Sequence, residues 1–253
     1  MVSRLHILIT YNCSLRCKHC YVFSDQRAVG KISLSQISHI LNEGRKISGI
    51  SWIYFGGGEP FTQYPLLLKA IQRARKLDYE VGVETNGYFA RSVEAGVRFL
   101  RPLARMGVKN LRISNDFLHY KKPDKSPAKN ALSAADKLGI PTTLVRTTDQ
   151  ENEAQGTSEQ NRQRSIEKRL MLAGRAVDFL LADLPTFNWQ TFTSCPRSDL
   201  ADPEELFIDA YGYVQICPGI AIGNAWEVPF HEILENLDLQ NNQIIRLLES
   251  NGP

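Results

Sequence analysis

Tyr11-Asn12-Cys13-Ser14-Leu15-Arg16-Cys17-Lys18-His19-Cys20-Tyr21 is the stretch on which the reading of the whole chain turns. Its cysteines, Cys13, Cys17 and Cys20, stand in a C-x3-C-x2-C pattern directly after an apolar run, Leu5 to Ile9. Thiolates are soft ligands and hold iron–sulfur clusters. Three at this spacing can wrap one corner of a cubane and leave its fourth iron without a protein ligand. An open iron can bind a further molecule, by the logic that keeps one position free on a catalytic zinc. Two other readings stay open on these residues alone. His19 could complete a four-ligand structural zinc site, or the thiols could be reduced and inert.

Outward from that loop, strands and helices alternate. Leu5 to Thr10 reads as a buried strand by its aliphatic run. Ser33-Leu34-Ser35-Gln36 has the form of a capping box opening a helix with Leu34, Ile37, Ile40 and Leu41 on one face. Ser51 to Phe55 is a second strand, ending in Gly56-Gly57-Gly58-Glu59-Pro60. A helix over Pro65 to Leu77, a strand over Tyr79 to Val83 and a helix over Ser92 to Met106 follow. Next come a strand over Val108 to Ser114, a helix over Pro127 to Leu138 and a strand over Pro141 to Arg146. Residues 147 to 162 are polar, which predicts a loop. A helix over Ser165 to Ala173 and a sixth strand over Ala176 to Leu181 complete the alternation.

This order calls for βαβ units, a parallel sheet and right-handed crossovers. Six units closing partway round make an α/β fold of partial (β/α)6 TIM-barrel type. The candidate site residues fall at the carboxyl ends of its strands, where ligands gather in such sheets. Beyond strand six, Leu206 to Asp209 and Val214 to Ile216 read as a β-hairpin with Gly212 in the turn. Phe230 to Leu248 reads as one amphipathic helix or two. The predicted organisation is a core over residues 1–190 and a small hairpin-plus-helix extension over residues 191–253.

Composition sets limits on function. Of 253 residues, 43% are apolar and 23% charged, which is ordinary for a globular protein. A net charge of +3 gives no argument for nucleic acid or a membrane surface as partner. No apolar run reaches spanning length, and the N-terminus lacks the form of a secretory signal. A cytoplasmic setting is expected, where clustered cysteines more often bind metal than form disulfides.

The cysteine loop, followed at the next strand's end by Gly57-Gly58-Glu59, resembles the radical S-adenosylmethionine (radical SAM) superfamily, and the partial barrel agrees with that resemblance. The resemblance implies a [4Fe–4S] cluster on Cys13, Cys17 and Cys20 whose open iron chelates the amine and carboxylate of S-adenosylmethionine. Reductive cleavage then yields methionine and a 5′-deoxyadenosyl radical that takes hydrogen from a substrate. It also implies an electron donor such as flavodoxin or ferredoxin. Gly57, Gly58 and Glu59 match the family's G-G-E motif, which holds the methionyl amine. A glycine backbone can approach a ligand closely, and a carboxylate accepts well from an ammonium group. Glu84-Thr85-Asn86-Gly87 resembles a T-N-G at the third strand's end, which makes Asn86 a candidate, although Asn-Gly is also a common turn. Ser114 and Asp116 resemble the fourth-strand S-x-D, with Ser114 towards the ribose or carboxylate end of the cofactor. Arg146 is a candidate for the methionyl carboxylate, a task suited to a guanidinium fork. His119 reads as an exposed loop histidine.

The C-terminal part is similar to a reduced or incomplete SPASM/twitch region. The resemblance rests on Gly174-Arg175-Ala176, Cys195-Pro196, Phe207 to Asp209, Cys217-Pro218 and Ile222 to Asn224. Such regions hold auxiliary clusters, but Cys195 and Cys217 are only two ligands where a four-iron cluster normally takes four thiolates. The resemblance tilts the substrate towards a peptide or protein side chain. A small metabolite is the alternative within the family. A non-catalytic iron–sulfur or zinc sensor is the alternative outside it, and it would have no use for Gly57-Gly58-Glu59.

Overall fold

The computed structural model describes residues 2–148, 164–183, 187–193, 200, 202–237 and 242–251. Its centre is one nine-stranded sheet with strand order β6-β5-β4-β3-β2-β1-β7-β8-β9. In chain order the strands are β1 (Arg4–Thr10), β2 (Trp52–Gly57), β3 (Glu80–Thr85), β4 (Asn110–Ser114), β5 (Thr142–Thr148), β6 (Arg164–Arg169), β7 (Glu205–Ile208), β8 (Tyr213–Cys217) and β9 (Ile220–Asn224). The strands from β6 through β1 to β7 pair in parallel, whereas β8 and β9 are antiparallel. Helices α1 (Leu34–Gly44), α2 (Tyr64–Lys76), α3 (Val93–Arg105) and α4 (Pro127–Lys137) form the first four crossovers.

The strands' alternation separates two environments. Leu5, Ile7, Ile53, Phe55, Val81, Val83, Leu111 and Ile113 are buried in the core that also takes Ile37, Ile40 and Leu41 of α1 and Leu67 and Ile71 of α2. Burying each such side chain is worth about 1.5–3 kcal/mol. The intervening residues of the same strands, among them His6, Glu84, Arg112 and Ser114, face a cavity. The inner face of these strands therefore carries polar and charged side chains beside apolar ones, and the interior is a binding space where a filled core could otherwise stand. The predicted capping box is present: Ser33 Oγ accepts from the Gln36 N–H, and Gln36 Oε1 accepts from the Ser33 N–H.

Two expectations are corrected. The predicted helix over Ser165 to Ala173 is replaced by β6, and the predicted sixth strand over Ala176 to Leu181 is the helix α5 (Arg175–Leu180). Glu167, Lys168 and Arg169 favour a helix intrinsically, but this segment pairs along β5 from Thr143↔Arg164 to Thr148↔Arg169, and pairing overrides propensity.

The C-terminal hairpin forms as expected, with Phe207↔Gln215 and Ile208↔Val214 paired and Gly212 at φ 90°. It does not stand apart, since β7 adds in parallel to β1 through Arg4↔Glu205 to Ile7↔Ile208. The strand β9 was not expected. The terminal helix is two, α6 (Phe230–Glu235) and α7 (Gln243–Asn251). Among the described residues no helix is long and apolar enough to cross a membrane.

Candidate active site

The cysteine loop leaves β1 and lies across the carboxyl ends of the strands. Cys13, Cys17 and Cys20 all line one cavity of about 870 Å³. Gly57, Gly58, Asn86 and Ser114 share its wall, so the ends of four successive strands meet there. Among the described residues, no three His, Cys, Asp or Glu side chains are gathered as a single metal ion needs.

The sulfurs already hold N–H donors. Leu15 N–H donates to Cys13 Sγ at 3.4 Å, Asn86 Nδ2 to the same sulfur at 3.6 Å, and Ser24 N–H to Cys20 Sγ at 3.3 Å. Such bonds favour a thiolate bound to metal and help set a cluster's potential. Burial pushes the thiols of Cys13 and Cys17 up to about 12, so without metal both are protonated at neutral pH. Three cavity-facing cysteines on one loop, two of them with N–H donors on sulfur, fit a cluster with three protein ligands.

The glycines seat this loop. Gly58 N–H donates to Thr10 O at 2.6 Å and Glu59 N–H to Asn12 O at 2.9 Å, so the end of β2 lies flat against the loop's root. A Cβ on Gly58 would stand 2.4 Å from Asn12 O and 2.5 Å from Tyr11 O, and Gly57 has φ 139°. Gly58→Ala must therefore push backbone away from backbone. Overpacking of this kind costs about 1–3 kcal/mol. The expected result is a lower melting temperature together with weaker iron retention, measured by thermal unfolding and iron analysis of the reconstituted protein. Wild-type iron retention in this variant would show that the contact does not position the loop.

Glu59 stands behind the wall. It is fully buried, and its carboxylate accepts from Phe61 N–H (3.1 Å), Thr85 Oγ1 (2.8 Å) and Asn86 N–H (2.8 Å). Burial raises its pKa to about 7, against the opposing pull of these three donors. Asn86 in turn reaches Cys13 Sγ and, at 3.1 Å, Ser14 Oγ, while Tyr120 Oη donates to Asn86 O at 2.7 Å. A continuous chain of hydrogen bonds thus runs from Glu59 through Asn86 to the first cysteine. Tyr120 is a member that sequence reading missed, since no motif marks it.

His119 is a correction. It lines the cavity instead of standing in solvent, its Nδ1 lies 2.8 Å from Asp116 Oδ1, and its ring meets that of His19 edge-on at 4.6 Å. Burial opposes charge on Asp116. The bonds from His119 and from Thr147 N–H (2.8 Å) outweigh it and hold the carboxyl at about 2. Arg146 is exposed and off the cavity wall. Its neighbours Val145 and Thr147 take the inward positions of β5. Cys217 lines the cavity from β8, and Cys195 lies outside the described residues.

The C-terminal hairpin grips both ends of the loop. Tyr11 Oη donates to the buried Asp209 Oδ2 at 2.8 Å, and Tyr211 Oη donates to Val29 O at 3.3 Å.

Comparison with known proteins agrees with this geometry. A 115-residue stretch is 30% identical to the tungsten-containing aldehyde ferredoxin oxidoreductase cofactor-modifying protein of Pyrococcus furiosus, covering 45% of this chain and 31% of that protein. A 125-residue stretch is 25% identical to the putative peptide biosynthesis protein YydG of Bacillus subtilis, covering 49% and 39%. The chain thus spans well under half the length of these curated relatives. In fold it is similar to Streptococcus suis SuiB bound to S-adenosylmethionine, with a TM-score of 0.62 at 12% identity, over 99% of this chain and 68% of that one. The profile of the Radical SAM superfamily matches residues 7–153. That match takes in the cysteine loop and the glycine strand and covers more than half of the sequence, so the chain belongs to the radical SAM superfamily, whose [4Fe–4S] cluster and S-adenosylmethionine are its cofactors.

Proposed function

We propose that this chain holds the cluster through Cys13, Cys17 and Cys20 and takes a hydrogen atom from a peptide or protein side chain. When bound, the cluster supplies the electron that splits the sulfonium of S-adenosylmethionine into methionine and a 5′-deoxyadenosyl radical. The observation that carries the proposal is the meeting of three cysteines, Gly57, Gly58 and Asn86 on the wall of one cavity. Gly57 and Gly58 present bare backbone to the methionyl amine, Glu59 holds the Asn86 turn behind it, and Ser114, at the end of the fourth strand, lines the same cavity for the rest of the cofactor. The electron comes from a small redox protein such as flavodoxin or ferredoxin.

The peptide reading is supported by the name of the Bacillus subtilis relative and by the C-terminal strands that close over one side of the cavity. In that reading Cys195 and Cys217 are candidates for an auxiliary cluster. A small polar metabolite is the second reading. The charged floor favours it: Glu84 lies 3.4 Å from His6, and Arg112 lies 3.9 Å from Glu205 and over the ring of Tyr54. The Pyrococcus furiosus relative, named for modifying a cofactor, supports it too.

The test is anaerobic reconstitution with iron and sulfide, then reduction in the presence of S-adenosylmethionine. Equal amounts of methionine and 5′-deoxyadenosine are expected. A protein that takes up the cluster yet never cleaves the cofactor would overturn the assignment. Deuterium carried from a labelled peptide or a labelled metabolite into 5′-deoxyadenosine would separate the two substrate classes.

A further inference from the structure

Gly174-Arg175 packs against the back of the cysteine loop and has no part in the scheme above. Arg175 N–H donates to Cys20 O at 3.0 Å. A Cβ on Gly174 would stand 2.5 Å from Tyr21 O and 2.6 Å from Cys20 O, and Gly174 has φ 58°, so only glycine admits this approach. Arg175 is 4% exposed, its guanidinium donates to Ser24 O, and it lies 3.8 Å from Asp25 Oδ2. Its Nε is buried without a hydrogen-bond partner among the described residues.

Ser24 shares that condition. It is 2% exposed, it stands on the cavity wall, and its Oγ is buried without a partner among the described residues. Its own N–H already serves Cys20 Sγ. The preceding residue, Phe23, holds a left-handed φ of 55°, which a non-glycine residue adopts only where its surroundings enforce it. The next residue, Ser24, is held on both sides, by Cys20 Sγ at its N–H and by the Arg175 guanidinium at its carbonyl. A buried hydroxyl without an acceptor is uncommon enough to need an explanation. The cavity beside Cys20 is where the proposed function puts sulfide-rich, negatively charged acceptors.

We propose that Ser24 is a hydrogen-bond donor to the cluster on the Cys20 side, and that Arg175 is the positioning residue that holds it there and adds a buried positive charge behind the third ligand. The proposal rests on the cluster being carried by Cys13, Cys17 and Cys20. Donors and cations near a cluster favour its more negative, reduced form, so they raise its potential. Ser24→Ala removes the hydroxyl but keeps the N–H to Cys20. Arg175→Gln removes the charge and loosens the loop, and Arg175→Lys restores the charge alone.

The experiment is a redox titration of the reconstituted cluster followed by electron paramagnetic resonance, with iron counted per chain. Wild-type protein that takes up no cluster on these cysteines would overturn the functional reading itself. Given a wild-type cluster, Ser24→Ala is expected to keep its iron and shift the potential to a more negative value. Arg175→Gln is expected to shift it further in the same direction and to lose iron severalfold on gel filtration. Arg175→Lys should recover part of that shift, which a merely structural role would not produce. A Ser24→Ala potential equal to wild type overturns the proposal, and it decides the matter even where Arg175→Gln fails to fold.

Discussion

Replacing Cys13, Cys17 and Cys20 together by alanine is expected to remove the four-iron cluster and all cleavage of S-adenosylmethionine. The three side chains line one cavity from one loop, and Leu15, Ser24 and Asn86 donate to two of the sulfurs. Each single replacement opens a second iron to solvent or to an adventitious ligand, so each is expected to lose the cluster on gel filtration and to lose activity by orders of magnitude. Iron and sulfide analysis, the visible absorption of the cluster and the yield of 5′-deoxyadenosine are the measurements. A triple variant that still cleaves the cofactor sinks the ligand assignment. So does a wild-type protein that carries stoichiometric zinc and no iron after anaerobic preparation, since that is the behaviour of a structural zinc site. Irons kept by a triple variant that no longer cleaves would report a second cluster involving Cys217.

Short-range signals were legible in this sequence to the extent that they involve few residues. The cysteine spacing, the capping box at Ser33 and the turn at Gly212 each depend on a handful of neighbours, and each is found where expected. Long-range pairing was not legible. Glu167, Lys168 and Arg169 carry helix propensity, and only the neighbouring β5 makes them a strand. The same limit hid the roles of His119 and Tyr120. Both sit on a polar loop in sequence, yet the fold folds that loop under the cysteine loop, where His119 meets Asp116 and Tyr120 meets Asn86. Arg146 shows the opposite error. It lies one residue from the inward positions of β5, and the strand's period of two sends it to the surface. Glu59 is expected from the G-G-E resemblance to accept from the methionyl ammonium, yet it stands fully buried behind the wall, and no sequence pattern shows that its carboxylate already has three donors.

Those three donors make Glu59→Gln a sharp test. Oε1 takes the Phe61 N–H and the Thr85 hydroxyl, and Oε2 takes the Asn86 N–H. Glutamine has one acceptor oxygen, so either orientation of its amide strands one backbone N–H in a fully buried place. Leaving a buried donor unpaired costs about 1–3 kcal/mol. The turn that loosens is the one whose Asn86 reaches Cys13, so cofactor affinity is expected to fall by up to roughly a hundredfold, the equivalent of about 1–3 kcal/mol carried from the stranded donor to the cavity wall. The pH dependence gives an independent signature. Burial, opposed by the three donors, raises the Glu59 pKa from 4.5 to about 7. The folded state therefore keeps this proton where the unfolded chain has lost it, and stability falls as pH rises between those values. At about 1.4 kcal/mol per unit the wild-type protein loses about 3 kcal/mol from this group across the window. Glutamine cannot titrate, so the stability gap between wild type and Glu59→Gln is widest near pH 4.5 and narrows towards pH 7 and above. Denaturant melts at several pH values and equilibrium binding of S-adenosylmethionine to the iron-loaded protein supply both readings. A stability gap independent of pH, together with unchanged cofactor binding, would mean that Glu59 is an ordinary buried turn residue and that the cavity wall does not depend on it.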